Sequence, residues 1–342
     1  MKKTYNVLIL GASYGSVIAI KILAAGHNVD LLCLKNEAKL IDAEGINVSI
    51  PSIRKKEEIN LNSKKLSGKL NAKSFSNLEN IDICFLAMQE HQYIKDTKLT
   101  NLLKQIAVKK IPMISVMNIP PSIFLKNIKN IKIDKADEIY KSHSIWKNIN
   151  LDYLSVSSPD PQAFKPKPDK NNFIRVRLAS NFKIAKFNDA KSNEVIEKLE
   201  TDVKKLKLPI YFNVFNNPLI SLAKWPMLIT GNYRCIKKDR ILSIKDAIAE
   251  DLEYSKKIYN SVLEFSINLG ANQKDLIIFE KYLKRSSLLD APSSVARAIS
   301  NRNKDIERFD LLLNEISEQK NYEVIGLSEI IETINNRIKL IN

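Results

Sequence analysis

The chain has 342 residues, 44% of them hydrophobic, with 8 glycines and 12 prolines. That is enough apolar content for two domain cores and too little Gly and Pro for a collagen-like or low-complexity chain. The formal charge is +16, carried by 44 Lys and 10 Arg spread along the whole length; nucleic-acid readers gather Arg with interleaved aromatics, so the charge reads as a solvated lysine-rich surface and no nucleic-acid partner is expected.

The start Met1-Lys2-Lys3 followed by the apolar run 7–10 reads as a first strand and not a signal peptide, because the run stops at Gly11 in a glycine-containing turn. No stretch of 18 apolar residues is present, so neither a spanning helix nor a membrane partner is expected. Cys33, Cys84 and Cys235 are too few and too scattered for a disulfide framework or a four-cysteine zinc site, which fits a reducing cytoplasm.

A first strand is expected over 5–10, followed by the turn Gly11-Ala12-Ser13-Tyr14-Gly15-Ser16 and a helix over 17–25 closed by Gly26. Further strands are expected at 29–34, 81–87 and 112–117, with a helix at 98–108 between the last two. Strand and helix alternating at this spacing argue for a parallel doubly wound sheet. Residues 151–187 read as extended, with a proline-rich excursion over 158–168. From about residue 192 the pattern is helical, including one long helix over 246–270 that Asp246 opens and Gly270 ends. The expected fold class is α/β: an N-terminal Rossmann-type domain in 1–190 and an all-helical substrate domain in 191–342, with the active site in the cleft between them.

A tight glycine turn between strand and helix lets backbone amides approach a pyrophosphate, where the helix dipole favours an anion. Here Gly11 is kept, Ser13 and Ser16 stand at the second and third positions of G-x-G-x-x-G, and Gly15 is additional. Gly11, Ser13, Tyr14, Gly15 and Ser16 are therefore the candidate cofactor-binding residues of the turn. At the tip of the second strand, Cys33-Leu34-Lys35-Asn36 carries no acid for a ribose 2′-hydroxyl. Lys35 there suits a 2′-phosphate and so NADP(H); it also suits a plain surface lysine.

Several further segments resemble the ketopantoate reductase family over both expected domains. Gly26-His27-Asn28-Val29-Asp30-Leu31 is similar to the family's AGH-x-V-x-L approach to the second strand, and Asp82 to Gln89 to its D-x-x-x-x-x-V-K strand. Gln92 matches a cofactor-side Gln, and Met117-Asn118 resembles the Q-N-G that ends the next strand. Ala223-Lys224-Trp225 and Asn232 lie where the family has a catalytic Lys and later Asn residues. Ser293, Arg302 and Asp305 resemble S-x(8)-R-x-x-E, with 12 residues from Ser to acid. The chain departs from the pattern at Gln89 for Lys, Ile119-Pro120-Pro121 after Asn118, Leu228 for Asn, and Asp305 for Glu. A shift of three residues would place Met227 at the catalytic position.

The resemblance implies NADPH-dependent reduction of a small anionic 2-oxo acid or related carbonyl, with 2-dehydropantoate, and hence pantothenate biosynthesis, among the candidates. Lys224 and Asp305 become the catalytic candidates, Ser293 and Asn232 the substrate-binding ones, and Gln89, Gln92 and Asn118 join the cofactor set. Such a reduction needs a proton for the developing alkoxide, which a lysine in a dry cleft supplies; Asp305 would orient it. The residue types leave other readings open: Lys224 as a snorkelling surface lysine, Ser293 as a helix N-cap after Pro292, Asp305 as an acid in a first helical turn. Lys224 and Asn232 stand about 12 Å apart along an unbroken helix, so they serve one small substrate only if Pro226 or Gly231 disturbs that helix. An opine or imine reductase, or an NADP-binding sensor without chemistry, fits the same architecture, and a homodimer is left open. His27 belongs to a loop entering a strand, His91 lies just past a strand end, and His143 stands beside Ser142 and Ser144; no ligand spacing emerges and no metal is expected.

Overall fold

Two-faced burial makes the first strand. Val7 to Leu10 are all fully buried, as a strand in a covered parallel sheet must be. The computed structural model describes residues 3–52, 57–74, 78–158, 160–166 and 170–341. In chain order the first elements are β1 (Asn6–Leu10), α1 (Ala12–Ala24), β2 (Asn28–Leu32), α2 (Lys35–Glu44), β3 (Asn47–Ser52), β4 (Glu57–Asn62), β5 (Leu70–Lys73), β6 (Ile83–Leu86), α3 (Thr97–Val108) and β7 (Met113–Ser115). Then come α4 (Ala136–Ile139), α5 (His143–Trp146), β8 (Leu154–Ser158), β9 (Gln162–Phe164), β10 (Phe173–Leu178), β11 (Phe182–Ala185), α6 (Ala190–Lys205) and β12 (Phe212–Phe215). The last part is helical: α7 (Trp225–Met227), α8 (Ile244–Ala249), α9 (Leu252–Asn268), α10 (Phe279–Ser286), α11 (Ser294–Ser300), α12 (Phe309–Gln319) and α13 (Leu327–Lys339).

The chain divides into two units. The first comprises Met1–Met88, Gln92–Pro120 and Lys147–Pro218, the second Gln89–His91, Pro121–Trp146 and Leu219–Asn342. The boundary expected at 190 falls at the first residue of α6, inside the first unit. The reason is β12: α6 carries the chain back so that β12 pairs in parallel with β11, Phe182 opposite Phe212, which completes the sheet.

The large sheet of the first unit runs β12-β11-β8-β7-β6-β1-β2-β5. It is parallel except where β11 meets β8, as the doubly wound expectation requires. From β1 the chain steps outward to β2 and β5 and returns on the other side as β6, so the order reverses at β1. A second sheet, β4-β3-β10-β9, was not expected. It takes in part of the segment read as extended. The proline-rich excursion lies partly outside the described residues, at Pro159, Lys167 and Pro168; within it β9 pairs antiparallel with β10.

Ten of the 13 residues of α1 are buried, which marks a helix covered on all sides. Its Lys21 is fully buried, with Nζ donating to Pro209 O at 2.8 Å. Burial pushes this ammonium down from 10.5 to about 7. Between those values the unfolded chain holds a proton that the folded chain lacks, so stability rises with pH across that window. Lys21→Met should therefore stabilise the protein by a few kcal/mol at about pH 6 and by almost nothing at about pH 11. Urea unfolding of both proteins at the two pH values checks this; an equal difference at both would overturn it.

In the second unit the expected long helix is broken into α8 and α9. Asp251 adopts φ −145°, ψ 97° and accepts the Tyr254 N–H at 2.9 Å. The carboxylate thus caps a new helix where a continuous one would leave it idle. Gly270, at φ +103°, ends α9 as expected. No helix among the described residues is long and apolar enough to cross a membrane.

Candidate active site

The C-terminal ends of the central strands are register neighbours: Leu10 pairs with Leu32 and Leu86, and Leu86 with Ser115. The turns that follow β1, β2, β6 and β7 therefore leave the sheet along one edge, and the β1 turn does so where the strand order reverses. That is where open α/β sheets bind ligands. Gly11, Ser13, Lys35 and Asn118 all follow these strand ends, and Gln92 lies six residues past β6.

Gly11 occupies φ +104°, and a Cβ there would meet Met88 Cγ at 2.5 Å and Ala87 O at 3.0 Å. Only glycine meets both conditions. The helix it opens, α1, has no side-chain cap and no acid in its first turn, the arrangement that suits an anion. Ser13 is exposed at this end. Gly15 serves helix–strand packing, since a Cβ would reach Ile9 Cγ2 at 2.6 Å. The Ser16 hydroxyl donates to Ala12 O inside the helix. The Tyr14 hydroxyl donates to Pro161 O at 2.8 Å and its ring meets Phe182 edge-on. Gly15 and the Ser16 and Tyr14 side chains are thus engaged within the protein, which leaves the outward-facing roles to Gly11, Ser13 and the backbone.

Lys35 is exposed at the first position of α2. The first acid past the tip of β2, Glu37, accepts the Leu34 N–H at 3.3 Å and is ion-paired with Lys165. No sequence signal pointed to Lys165, which comes from beyond β9.

In the second unit Lys224 is only 6% exposed, so it is not a surface lysine. It ends a 3₁₀ stretch, Pro218–Lys224, and is followed by α7 and then by a π-helical turn, Leu228–Tyr233. The helix is therefore irregular across the stretch where Lys224 and Asn232 would otherwise lie two turns apart, and such π-turns concentrate at functional sites. Gly231 sits within this turn against Tyr282, whose hydroxyl a Cβ would meet at 2.1 Å. Ser293 donates its hydroxyl to Asn232 O at 2.6 Å and accepts the Ala296 N–H at 3.2 Å, capping α11. Asn232 and Ser293, 61 residues apart, are thus brought together.

Asp305 is half-buried on an irregular stretch before α12 and not in a first helical turn; Asp310 holds that place. Two contacts tie this stretch to the π-turn and to α7. Tyr233 Oη donates to Glu307 O at 2.5 Å and accepts the Phe309 N–H at 2.9 Å. The Trp225 ring stands edge-on to Phe309, centroids 5.3 Å apart. The neighbours of Lys224 and of Asp305 are therefore packed together.

Sequence reasoning missed two buried carboxyl groups, Glu90 and Glu307, at 1% and 2% exposure. Glu90 Oε1 accepts the Ser142 N–H at 2.6 Å and the Ser142 hydroxyl, its Oε2 accepts the Lys141 N–H at 3.1 Å, and its own N–H donates to Glu307 Oε1 at 3.2 Å. Beside them the buried Tyr140 hydroxyl has no hydrogen-bond partner among the described residues. Burial first, and then Glu90 and Glu307, raise that phenol well above its ordinary value. His143 Nδ1 lies 2.8 Å from the Ser122 hydroxyl. His27 is a structural residue of the first unit: its Nδ1 accepts the Tyr5 N–H at 3.1 Å and its Nε2 faces Asp202 at 3.4 Å.

No protein-family model matches the chain, and no curated protein matches it by sequence. Solved structures match over nearly its whole length. A PanE/ApbA-family ketopantoate reductase from Ralstonia eutropha JMP134 superposes with a TM-score of 0.66 at 12% identity, covering 98% of this chain and 99% of that one. A 2-dehydropantoate 2-reductase from Geobacter metallireducens GS-15 gives 0.67 at 10% identity, covering 98% and 100%. A D-mandelate dehydrogenase in ternary structure with NADH and anilino(oxo)acetate gives 0.64 at 13% identity, covering 98% and 99%. The chain has the ketopantoate reductase-like fold, as its sequence motifs led one to expect.

Proposed function

We propose that this chain is an NADPH-dependent oxidoreductase that reduces the carbonyl of a small 2-oxo acid, as a remote member of the ketopantoate reductase family. The observation that carries the reading is the glycine-only turn at the reversal point of the parallel sheet, found in a chain whose other unit leads a buried lysine into a π-turn. The Gly11 cradle fits a dinucleotide, because its space excludes any side chain and the uncapped amides of α1 would hold a pyrophosphate. When bound, the nicotinamide supplies the hydride. The protein's own residues do the rest. Lys224, held away from bulk water, donates the proton to the developing alkoxide. Asp305 orients the lysine. Asn232 binds the substrate's polar groups, and Ser293 holds Asn232 in place: its single O–H is spent on the Asn232 carbonyl, so toward a substrate it has only acceptor capacity.

An NADPH-oxidation screen across 2-oxo acids, with and without amines, tests the reading. Turnover that needs only a 2-oxo acid supports it. Strict amine dependence would move the assignment to an opine or imine reductase, and dinucleotide binding without turnover to a sensor.

The cofactor choice follows from charge. Lys35 is exposed at the tip of β2, and the nearest acid, Glu37, is already paired with Lys165. A lysine–phosphate contact near the surface is worth roughly 1 kcal/mol, or about fivefold in affinity. The wild type should bind NADPH at least about fivefold more tightly than NADH, and Lys35→Ala should remove most of that margin. Titration of both cofactors against both proteins decides it; an unchanged preference in the variant would refute the role of Lys35.

A further inference from the structure

We propose that the second unit carries a separate pocket for a small organic carboxylate, with Arg234 as the group that receives it. The cavity measures about 400 Å³, is open on one side, and is lined by Arg234, by residues 236–240 and by the first turns of α9 and α13. That volume lies in the range of small-molecule sites. None of the candidate catalytic residues lines it.

Arg234 is 6% exposed, and among the described residues it commits one donor to a hydrogen bond: Nη1 reaches Ser255 Oγ at 2.5 Å. A guanidinium has five N–H donors, and this one lines the cavity with its Cζ 5.5 Å from the Tyr254 ring centroid. The acids around it are otherwise engaged. Glu250 pairs with Lys237 and, at 2.9 Å, with Arg240. Asp251 caps α9. Glu329 accepts the Tyr254 hydroxyl at 3.2 Å. Burial draws Arg234 below its ordinary value, while the charges of Glu250, Asp251 and Glu329 pull the other way.

An incoming carboxylate would take two parallel N–H bonds from the planar fork, the geometry in which arginine surpasses lysine. Lys238 adds a second cation at the exposed rim. Buried Ile236, Ile258 and Ile330 supply an apolar wall, which suits a short aliphatic tail. The ligand class is therefore a monocarboxylate with a small branched chain. The proposal does not depend on the reductase reading.

Isothermal titration of the full chain with 4-methylpentanoate tests it, with the neutral isostere 4-methylpentanamide and inorganic phosphate as comparison probes. The carboxylate should bind saturably, and the amide about tenfold or more weakly than it. Arg234→Gln should weaken carboxylate binding by a similar factor. Lys238→Glu, at an exposed position that cannot disturb folding, should weaken it about threefold; this variant and the amide comparison decide the matter if Arg234→Gln does not fold. The proposal is overturned by no saturable heat with the wild type, by equal affinity for the amide, by phosphate binding more tightly than the carboxylate, or by binding that survives both substitutions.

Discussion

Lys224→Ala is expected to lower kcat by about 10²- to 10⁴-fold, equivalent to about 3 to 5 kcal/mol of barrier, while dinucleotide affinity stays within about twofold. The size follows from the role: without the lysine, the alkoxide must take its proton from water that a buried site excludes. The separation of effects follows from placement, because Gly11, Ser13 and Lys35 belong to the first unit and Lys224 to the second. Lys224→Met keeps most of the aliphatic stem and guards against a packing artefact, so it should be as inactive as the alanine variant and more stable. Partial recovery of the alanine variant by added ethylamine would place the missing proton donor at this position. Asp305→Asn should cost less than Lys224→Ala, since it orients the donor and transfers nothing. Ser293→Ala should lose about 1 kcal/mol of stability as a vacated helix cap and raise KM by releasing Asn232. Steady-state and single-turnover kinetics of the four variants distinguish these outcomes. Activity of Lys224→Ala within about twofold of wild type would sink the assignment, and Met227, which cannot donate a proton, would then leave the reaction without a donor at this helix.

The strands at the centre of the large sheet were legible because they are buried on both faces and read as uninterrupted apolar runs. The second sheet was not. In β3 the two buried apolar residues, Val48 and Ile50, flank a buried Ser49, and no residue of β4 is buried, so the pattern resembles loop as much as strand. The return of the chain to the sheet past residue 190 was hard to read for a similar reason: α6 reads as the first helix of a helical domain unless one sees that the four-residue β12 pairs with β11. Asp251 was read as a residue within a helix, although its side chain competes for the backbone. The candidate site was legible where local motifs carried it, at the Gly11 turn and around Lys224. It was illegible where it depended on burial. Glu90 meets Ser142 across 52 residues and Glu307 across 217, and nothing in Gln89-Glu90-His91 distinguishes a buried carboxyl group from a solvated one.

Glu90→Ala should cost about 2 to 4 kcal/mol of stability, a large share of what a domain possesses. Its carboxyl oxygens accept from the buried Ser142 N–H and hydroxyl and from the part-buried Lys141 N–H. Alanine leaves both N–H groups without that acceptor, at about 1 to 3 kcal/mol for the buried one and less for the other, while the Ser142 hydroxyl keeps the Glu90 backbone carbonyl at 3.0 Å. The proximity of Glu307 offsets part of this, because one of two neighbouring carboxyl groups is removed. Glu90→Gln keeps an oxygen for Ser142 but turns an amide N–H₂ toward the Lys141 N–H, so it should cost about 1 to 2 kcal/mol. The loss should be confined to the second unit, and the chain provides its own probe for that: both of its tryptophans, Trp146 and Trp225, lie there and are buried. Tryptophan fluorescence should report a large drop in the urea midpoint. Far-UV circular dichroism, which also sees the first unit, should retain a component that unfolds at the wild-type midpoint. The Tyr140 phenol should ionise at lower pH than in the wild type yet still above its ordinary value, since burial is the larger of its causes and Glu90 only a contributor. A Glu90→Ala protein within about 0.5 kcal/mol of wild type by fluorescence would mean that the carboxyl group is solvated, and the network around Ser142 would have to be redrawn.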